Sequence, residues 1–193
     1  RGHRHMENTP QVLEQLSLRP ATVHDVEPIL DLVNELAAAG EMLPRAPATT
    51  IERLRDFVVA EVDGQFAGCG ALALVWTDMA EVRSIAVAKE HRGKGLGRKM
   101  ALFLLEEAER LGVARVMAFT YVTGFFDRLG FRQVDHAALP HKVFQDCLNC
   151  PKFHRCDEVA VVKDLSHSAG APPLGPLSLP TPGKHLPKPN SKV

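Results

Sequence analysis

Residues 81–100 read EVRSIAVAKEHRGKGLGRKM. An apolar, β-branched run ends near Ala88, and three glycines (Gly93, Gly95 and Gly97) follow within five residues. Arg92, Lys94, Arg98 and Lys99 are interleaved with them, and Leu96, Met100, Phe103, Leu104, Ala108 and Leu111 then recur at helical spacing up to Gly112. The segment therefore joins a strand to a helix whose first N–H groups and dipole favour an anion. Glycines at this spacing let consecutive N–H groups curl toward one point with no Cβ in the way. The nucleotide fingerprints G-x-G-x-x-G and Gly-Lys-Ser/Thr are both absent. Between a solvated basic loop and a pyrophosphate cradle, the strand-to-helix setting favours the cradle.

Working outward, "LSLRPA" (16–21) reads as a strand and "HDVEPILDLVNELAAAG" (24–40) as a helix. Val26, Ile29, Leu30, Val33, Leu36 and Ala37 form the inner stripe of that helix. "TTIERLRDF" (49–57) reads as a shorter helix capped by Thr49 or Thr50. "FVVAEV", the turn "DGQ" and "FAGCGALALVW" make a hairpin, its second strand apolar enough to be covered on both faces. After the loop and its helix come a strand at 114–120, a short helix "TGFFDRLG" and closing strands "FRQV" and "EVAVVKDL". The fold class is α/β (α+β): one domain over 16–165 with a mixed central sheet flanked by helices, and no internal repeat. Residues 1–15 read as a flexible extension, its start having the look of a cloning remnant ahead of Met6. Residues 166–193 carry seven prolines and no acidic residue, a composition expected to stay disordered.

The chain has 193 residues, with Lys+Arg and Asp+Glu both 23. Zero net charge gives no bulk attraction to nucleic acid. No membrane-spanning run or signal-peptide pattern is present. Four cysteines, three of them clustered, do not make a secreted disulfide framework, so a reducing cytoplasm is expected.

With these residues in view, 81–100 resembles the acyl-CoA loop of the GNAT superfamily of N-acetyltransferases, Arg/Gln-x-x-Gly-x-Gly/Ala, here Arg92 to Gly97. "FFDRLGF" (125–131) is similar to the same superfamily's short helix and closing turn. The resemblance implies acetyl-CoA as co-substrate, held by Arg92, Gly93, Lys94, Gly95, Leu96 and Gly97. It also implies a bulge that splays the preceding strand from its neighbour. Pantetheine would enter that gap against main-chain groups of Ile85 and Val87, with Ala86 between them. More narrowly, "LPRA" (43–46), "AEVRSIAV", "TGFFDRLGF" and "LPHKVFQDCLNCPKFHRCDEVAV" (139–161) are similar to short, stand-alone N-acetylglutamate synthases. The implied reaction acetylates L-glutamate, opening arginine biosynthesis. No amino-acid-kinase segment accompanies the match, so arginine feedback through one is not expected.

Direct transfer to an amine needs a base to take its proton. Glu81 is the candidate, its other reading being a surface carboxylate paired with Arg83 two residues along the same strand face. An N–H near Ile85 would stabilise the oxyanion. The superfamily's Y-x-x-x-G-F acid is replaced here by Phe126, which leaves Tyr121, Thr120 or water to protonate the leaving thiolate. A dicarboxylate calls for fixed cations: Arg45, stiffened by Pro44 and Pro47, then Arg83 and Lys142. Cys147, Cys150 and Cys156, with His141, His154, Asp157 or Cys69, admit a zinc site, a reduced packing segment or a redox pair, and none of these is chosen. Partners are then small molecules, with no nucleic acid or membrane, and a homodimer stays open. Acetylation of another amino acid, such as glutamine, or of a protein amine, and a non-catalytic acyl-CoA-binding module, are the competing readings.

Overall fold

The fold is built around a tight hairpin. Asp63 and Gly64 both take positive φ, 51° and 76°, the geometry that matches the right-handed twist of the strands they join. A computed structural model describes residues 15–139, 152, 155–169 and 174. The strands joined by the hairpin are β2 (Phe57–Val62) and β3 (Gln65–Trp76). The others are β1 (Leu16–Pro20), β4 (Met79–Val87), β5 (Arg115–Thr120), β6 (Arg132–Val134) and β7 (Val159–Asp164). Four helices, α1 (Val26–Ala38), α2 (Pro47–Glu52), α3 (Leu96–Leu111) and α4 (Thr123–Asp127), complete the elements used here.

The seven strands lie in the order β1-β2-β3-β4-β5-β7-β6. Only β4 and β5 run parallel; the remaining neighbours are antiparallel. This is the single mixed-sheet domain expected from the sequence.

Strand alternation sends the two faces of the sheet to different helices. Phe57, Val59, Cys69 and Ala71 pack under Ile29, Leu32, Val33 and Leu36 of α1. Val58, Leu72, Val82 and Val116 pack under Ala101, Leu104, Leu105 and Ala108 of α3. Burying a residue such as Ile29 or Leu104 contributes roughly 1.5–3 kcal/mol, so the two layers hold the sheet from both sides.

Several boundaries differ from the sequence reading. The α2 cap is Ala46, with Pro47 at the first helical position, where its fixed φ and missing N–H fit. Thr49 and Thr50 lie inside the helix and donate their hydroxyls to the Ala46 carbonyl. On α1, Leu32 is buried, while Val26, Leu30 and Ala37 are half-buried. Leu111 is exposed and Val113 takes its place in the core. Ser166–Ser168, expected to begin the disordered tail, form a 3-10 turn, with the Ser166 N–H and hydroxyl both donating to the Glu109 carboxylate. Leu174 packs near Met79 and Met117. Residues 1–14, 170–173 and 175–193 lie outside the described residues.

The entry to α1 is pinned electrostatically. Arg19 of β1 donates to both Asp25 oxygens, at 2.7 and 2.9 Å, and to Glu61 at 2.7 Å. Asp25 also accepts from the Thr22 N–H and hydroxyl. The Arg19 guanidinium holds the Asp25 carboxyl down at about 2, against 3.8 ordinarily. A depressed folded-state value stabilises the fold above the unfolded value and is lost as pH falls through the folded one. Between pH 4 and 2 the unfolding free energy should therefore drop. Asp25 contributes about 1–2 kcal/mol after allowing for the partly exposed Arg19. Chemical denaturation of wild type and Asp25→Asn across that window checks this: the variant should be weaker at pH 6 and show a flatter decline.

Candidate functional site

The site originates where β4 leaves β5. Met79, Ala80 and Glu81 pair with Arg115, Val116 and Met117, and there the parallel pairing stops. β4 continues along β3 to Val87, but the register shifts: Ala71 faces Arg83, whereas Cys69 faces Ala86. Ser84 and Ile85 thus oppose the single residue Gly70, and Ser84 takes a φ of 55°. This is the bulge that the resemblance implies, and a bulge bends its strand away from its neighbour. Ala88 donates its N–H to Ala67 of β3 at 2.9 Å. Because backbone groups alternate along a strand, Ala86 also turns toward β3, while Ile85 and Val87 turn theirs to the open gap. The Val87 carbonyl there accepts from Arg92 Nε at 3.2 Å.

The loop closes one end of the gap. After the turn Lys89–His91, Gly93 and Gly95 take φ of 77° and 78°, which a side chain would strain. Gly95 caps α3, and the helix returns its first N–H at Lys99, which donates to the Gly95 carbonyl at 3.1 Å. The N–H groups of Leu96, Gly97 and Arg98 precede that bond and form the positive end of a 16-residue helix. The Leu96 side chain is buried in the core, so its main chain is what it can offer an anion. A Cβ on Gly97 would lie 3.7 Å from Phe125 and Val87 and 3.8 Å from Ile85, which places this turn on the wall of the gap. Arg92 lies 3.3 Å from Glu41. A curled cradle of main-chain donors at a helix start fits a pyrophosphate.

The other end holds the charged side chains. Glu81 is only 3% exposed, so it is not the surface carboxylate of the competing reading, although Arg83 does lie 3.6 Å from it. Arg83 in turn lies 3.8 Å from Asp56. Val82 points into the α3-side core, so Glu81 and Arg83 face the opposite side of the sheet. Arg45 is held there through both its main chain and its side chain. Its N–H donates to Asn34 Oδ1 at 2.9 Å, and its carbonyl accepts from Asn34 Nδ2 at 3.1 Å. Its Nε donates to Ser84 Oγ at 2.6 Å, and its guanidinium sits 5.3 Å above the Phe57 ring. An open cleft of about 1700 Å³ is lined by Arg45, Glu81, Arg83, Ile85, Thr120 and Tyr121 together. Lys142 lies outside the described residues.

The candidate acids sit at the end of β5. Thr120 is buried and its hydroxyl accepts from the Val122 N–H at 2.9 Å. Tyr121 donates to Asp157 at 2.9 Å and accepts from Lys152 at 2.8 Å. Burial raises its phenol above the ordinary value, against the opposing pull of Lys152, so it bears its proton at neutral pH. Phe126, standing where the superfamily pattern has tyrosine, is core: it packs edge-on against Phe125 and Phe131, each 5.1 Å away.

The metal alternative gains no support among the described residues, where no three His, Cys, Asp or Glu side chains cluster. Asp157 is bonded to Lys152 and Tyr121. The Cys69 thiol is buried under α1, donates to the Ser84 carbonyl at 3.7 Å, and is pushed up to about 12 by burial, with Arg45 pulling it down. Cys147, Cys150, His141 and His154 lie outside the described residues. Cys156 is exposed and free.

Sequence reasoning missed Asn34, Ser84 and the Lys152–Asp157 pair. A serine inside an otherwise apolar strand is a weak signal for Ser84; nothing in a helical asparagine marks Asn34.

Comparison with known proteins agrees with this geometry. Residues 29–131 match the family described as Acetyltransferase (GNAT) family. An uncharacterized N-acetyltransferase, CT2212, from Chlorobaculum tepidum is 41% identical over 77% of this chain and 96% of its own length. An amino-acid acetyltransferase from Mycobacterium tuberculosis is 34% identical over 67% of this chain and 75% of its own. Among solved structures, Rv2747 of M. tuberculosis, in complex with CoA and a further ligand, has a TM-score of 0.67 at 28% identity, covering 77% of this chain and 99% of that one. N-acetylglutamate synthase from Neisseria gonorrhoeae, complexed with coenzyme A and N-acetyl-glutamate, shares the fold at a TM-score of 0.71 and 24% identity. That match covers 78% of this chain but 35% of the synthase. No helix among the described residues is long and apolar enough to cross a membrane.

Proposed function

The chain belongs to the GNAT family of acetyltransferases, and on that premise we propose that it transfers acetyl from acetyl-CoA to the α-amine of L-glutamate. The product is N-acetyl-L-glutamate, a precursor for arginine, made by direct attack within a ternary complex in the cytoplasm. The observation that carries this reading is the fork between β4 and β5, with buried Glu81 at its base and Arg45 lining the same cleft.

The loop from Arg92 to Gly97 and the first turn of α3 cradle the pyrophosphate of acetyl-CoA. Ile85 and Val87, with Ala86 between them, offer the open strand edge to pantetheine, as a partner strand would. Glu81 takes the proton that the amine loses as its nitrogen bonds to the thioester carbon, directly or through one water. The Ile85 N–H supports the negative charge on the carbonyl oxygen. As the carbon–sulfur bond breaks, the thiolate departs, with Tyr121, Thr120 or water supplying its proton. CoA thiolate is a good leaving group, so this last proton is the least demanding part. Arg45 receives a carboxylate of the acceptor, with Arg83 and Lys142 as further cations.

The reading rests on family membership, on the amino-acid acetyltransferase relative and on a cleft that presents arginine beside a buried carboxylate. A thiol-release assay with acetyl-CoA across the free amino acids tests it. Glutamate should give the highest rate. Release with another amino acid in preference to glutamate would leave an amino-acid acetyltransferase of different acceptor. Release with none would remove the free-amino-acid reading.

A further inference from the structure

Arg45 is anchored more completely than a cation at a cleft rim requires. Its main chain is gripped at both ends of one residue, N–H and carbonyl, by the single amide of Asn34 on α1. A neutral helix side chain thereby does for the Arg45 loop what a neighbouring strand would do. The guanidinium is fixed separately: Nε is bonded to Ser84 Oγ at 2.6 Å and its central carbon lies 5.3 Å from the centre of the Phe57 ring. Ser84 is itself immobilised, because it is the positive-φ residue of the β4 bulge and its carbonyl accepts from the buried Cys69 thiol. An arginine side chain ordinarily loses rotamer freedom on binding a ligand, and a guanidinium fixed beforehand loses less.

We infer that Asn34 and Ser84 are positioning residues that fix the Arg45 guanidinium on the cleft wall before any acceptor arrives, and so set the cleft's affinity for a carboxylate-bearing acceptor. Ser84 does this from the residue that opens the strand for the acyl donor. The acceptor's cation is therefore keyed to the bulge itself, 39 residues away in sequence. Asn34 acts through the loop and Ser84 through the side chain, which makes the two separable by mutation. The inference about affinity rests on the proposed role of Arg45; the inference about fixing the guanidinium does not.

The test has two readouts. Proton–nitrogen correlation spectra of the full chain report the Arg45 Nε–H directly. It should be rigid and slowly exchanging in wild type. In Ser84→Gly, which suits the positive φ while removing the hydroxyl, its heteronuclear NOE should fall. Asn34→Ala should lower it partially, and Asn34→Asp, which keeps the acceptor for the Arg45 N–H, should lower it least. An unchanged Arg45 Nε–H in both Ser84→Gly and Asn34→Ala overturns the inference. In steady-state kinetics, each of those two variants should raise the glutamate KM about tenfold, a larger change than in kcat or the acetyl-CoA KM. Neither should raise the glutamate KM further in an Arg45→Ala background. A further rise of the same size there would show that they act independently of Arg45, against the inference. If Arg45→Ala alone leaves the glutamate KM unchanged, the acceptor role of Arg45 fails, and the spectra still decide whether Asn34 and Ser84 fix its side chain.

Discussion

Glu81→Gln should lower kcat by about 10²–10⁴-fold while leaving the acetyl-CoA KM within a few-fold of wild type. The amide matches the carboxylate in size but cannot accept the amine's proton. The site where it stands is 3% exposed, so bulk water substitutes poorly as base. Pairing explains why the effect should not be a folding artefact alone. Arg83 sits 3.6 Å from Glu81 but also 3.8 Å from Asp56, which keeps a counter-charge after the substitution. Glu81→Asp, which retains the charge at a shorter reach, should recover part of the rate. A Glu81→Gln enzyme with wild-type kcat and an intact melting transition would remove Glu81 from the chemistry. Its carboxylate would then be a structural partner of Arg83.

Arg45→Ala should raise the glutamate KM by about 100-fold, with little change in the acetyl-CoA KM. A charge-assisted bond to a carboxylate is worth roughly 1.5–3 kcal/mol, about one to two factors of ten, and bidentate geometry takes the upper end. Arg45→Lys should restore little, because a lysine cannot keep the Nε bond to Ser84 while reaching the ligand. The acyl-donor loop lies on a different wall, along Val87 and Gly97, so its affinity should be spared. A glutamate KM that does not move would transfer the acceptor role to other cations of the cleft.

What was legible in the sequence follows from which interactions are local. The loop at 92–97 could be read because its requirement is local: Gly93 and Gly95 need positive φ, and a strand and a helix flank them within a few residues. The hairpin at Asp63–Gly64 and the stripe of α3 were legible for the same reason, save for its final Leu111. The α2 cap was misread because Thr49 and Thr50 are good capping residues by type. Pro47 overrides them by fitting the first helical position two residues earlier. The bulge at Ser84 is a property of the β3–β4 register, which no single strand specifies, so only the family resemblance pointed to it. Glu81 was legible as a candidate, but its burial depends on β4 and β5 parting just beyond it. Asn34 was invisible: on a helix surface an asparagine ordinarily meets water, and its loop partner becomes evident only in three dimensions.

The proposed acceptor is glutamate rather than a near neighbour of the same shape. Glutamate and glutamine differ only in replacing one side-chain carboxylate oxygen by an amide nitrogen, so they isolate the contribution of the cations that face that carboxylate. Offering the enzyme equal concentrations of L-glutamate and L-glutamine with acetyl-CoA, and quantifying both N-acetyl products by mass spectrometry at early times, measures their kcat/KM ratio directly. N-acetyl-L-glutamate should exceed N-acetyl-L-glutamine by about tenfold or more, as the loss of one charge-assisted bond requires. Equal amounts of the two, or an excess of the glutamine product, would contradict glutamate as the acceptor.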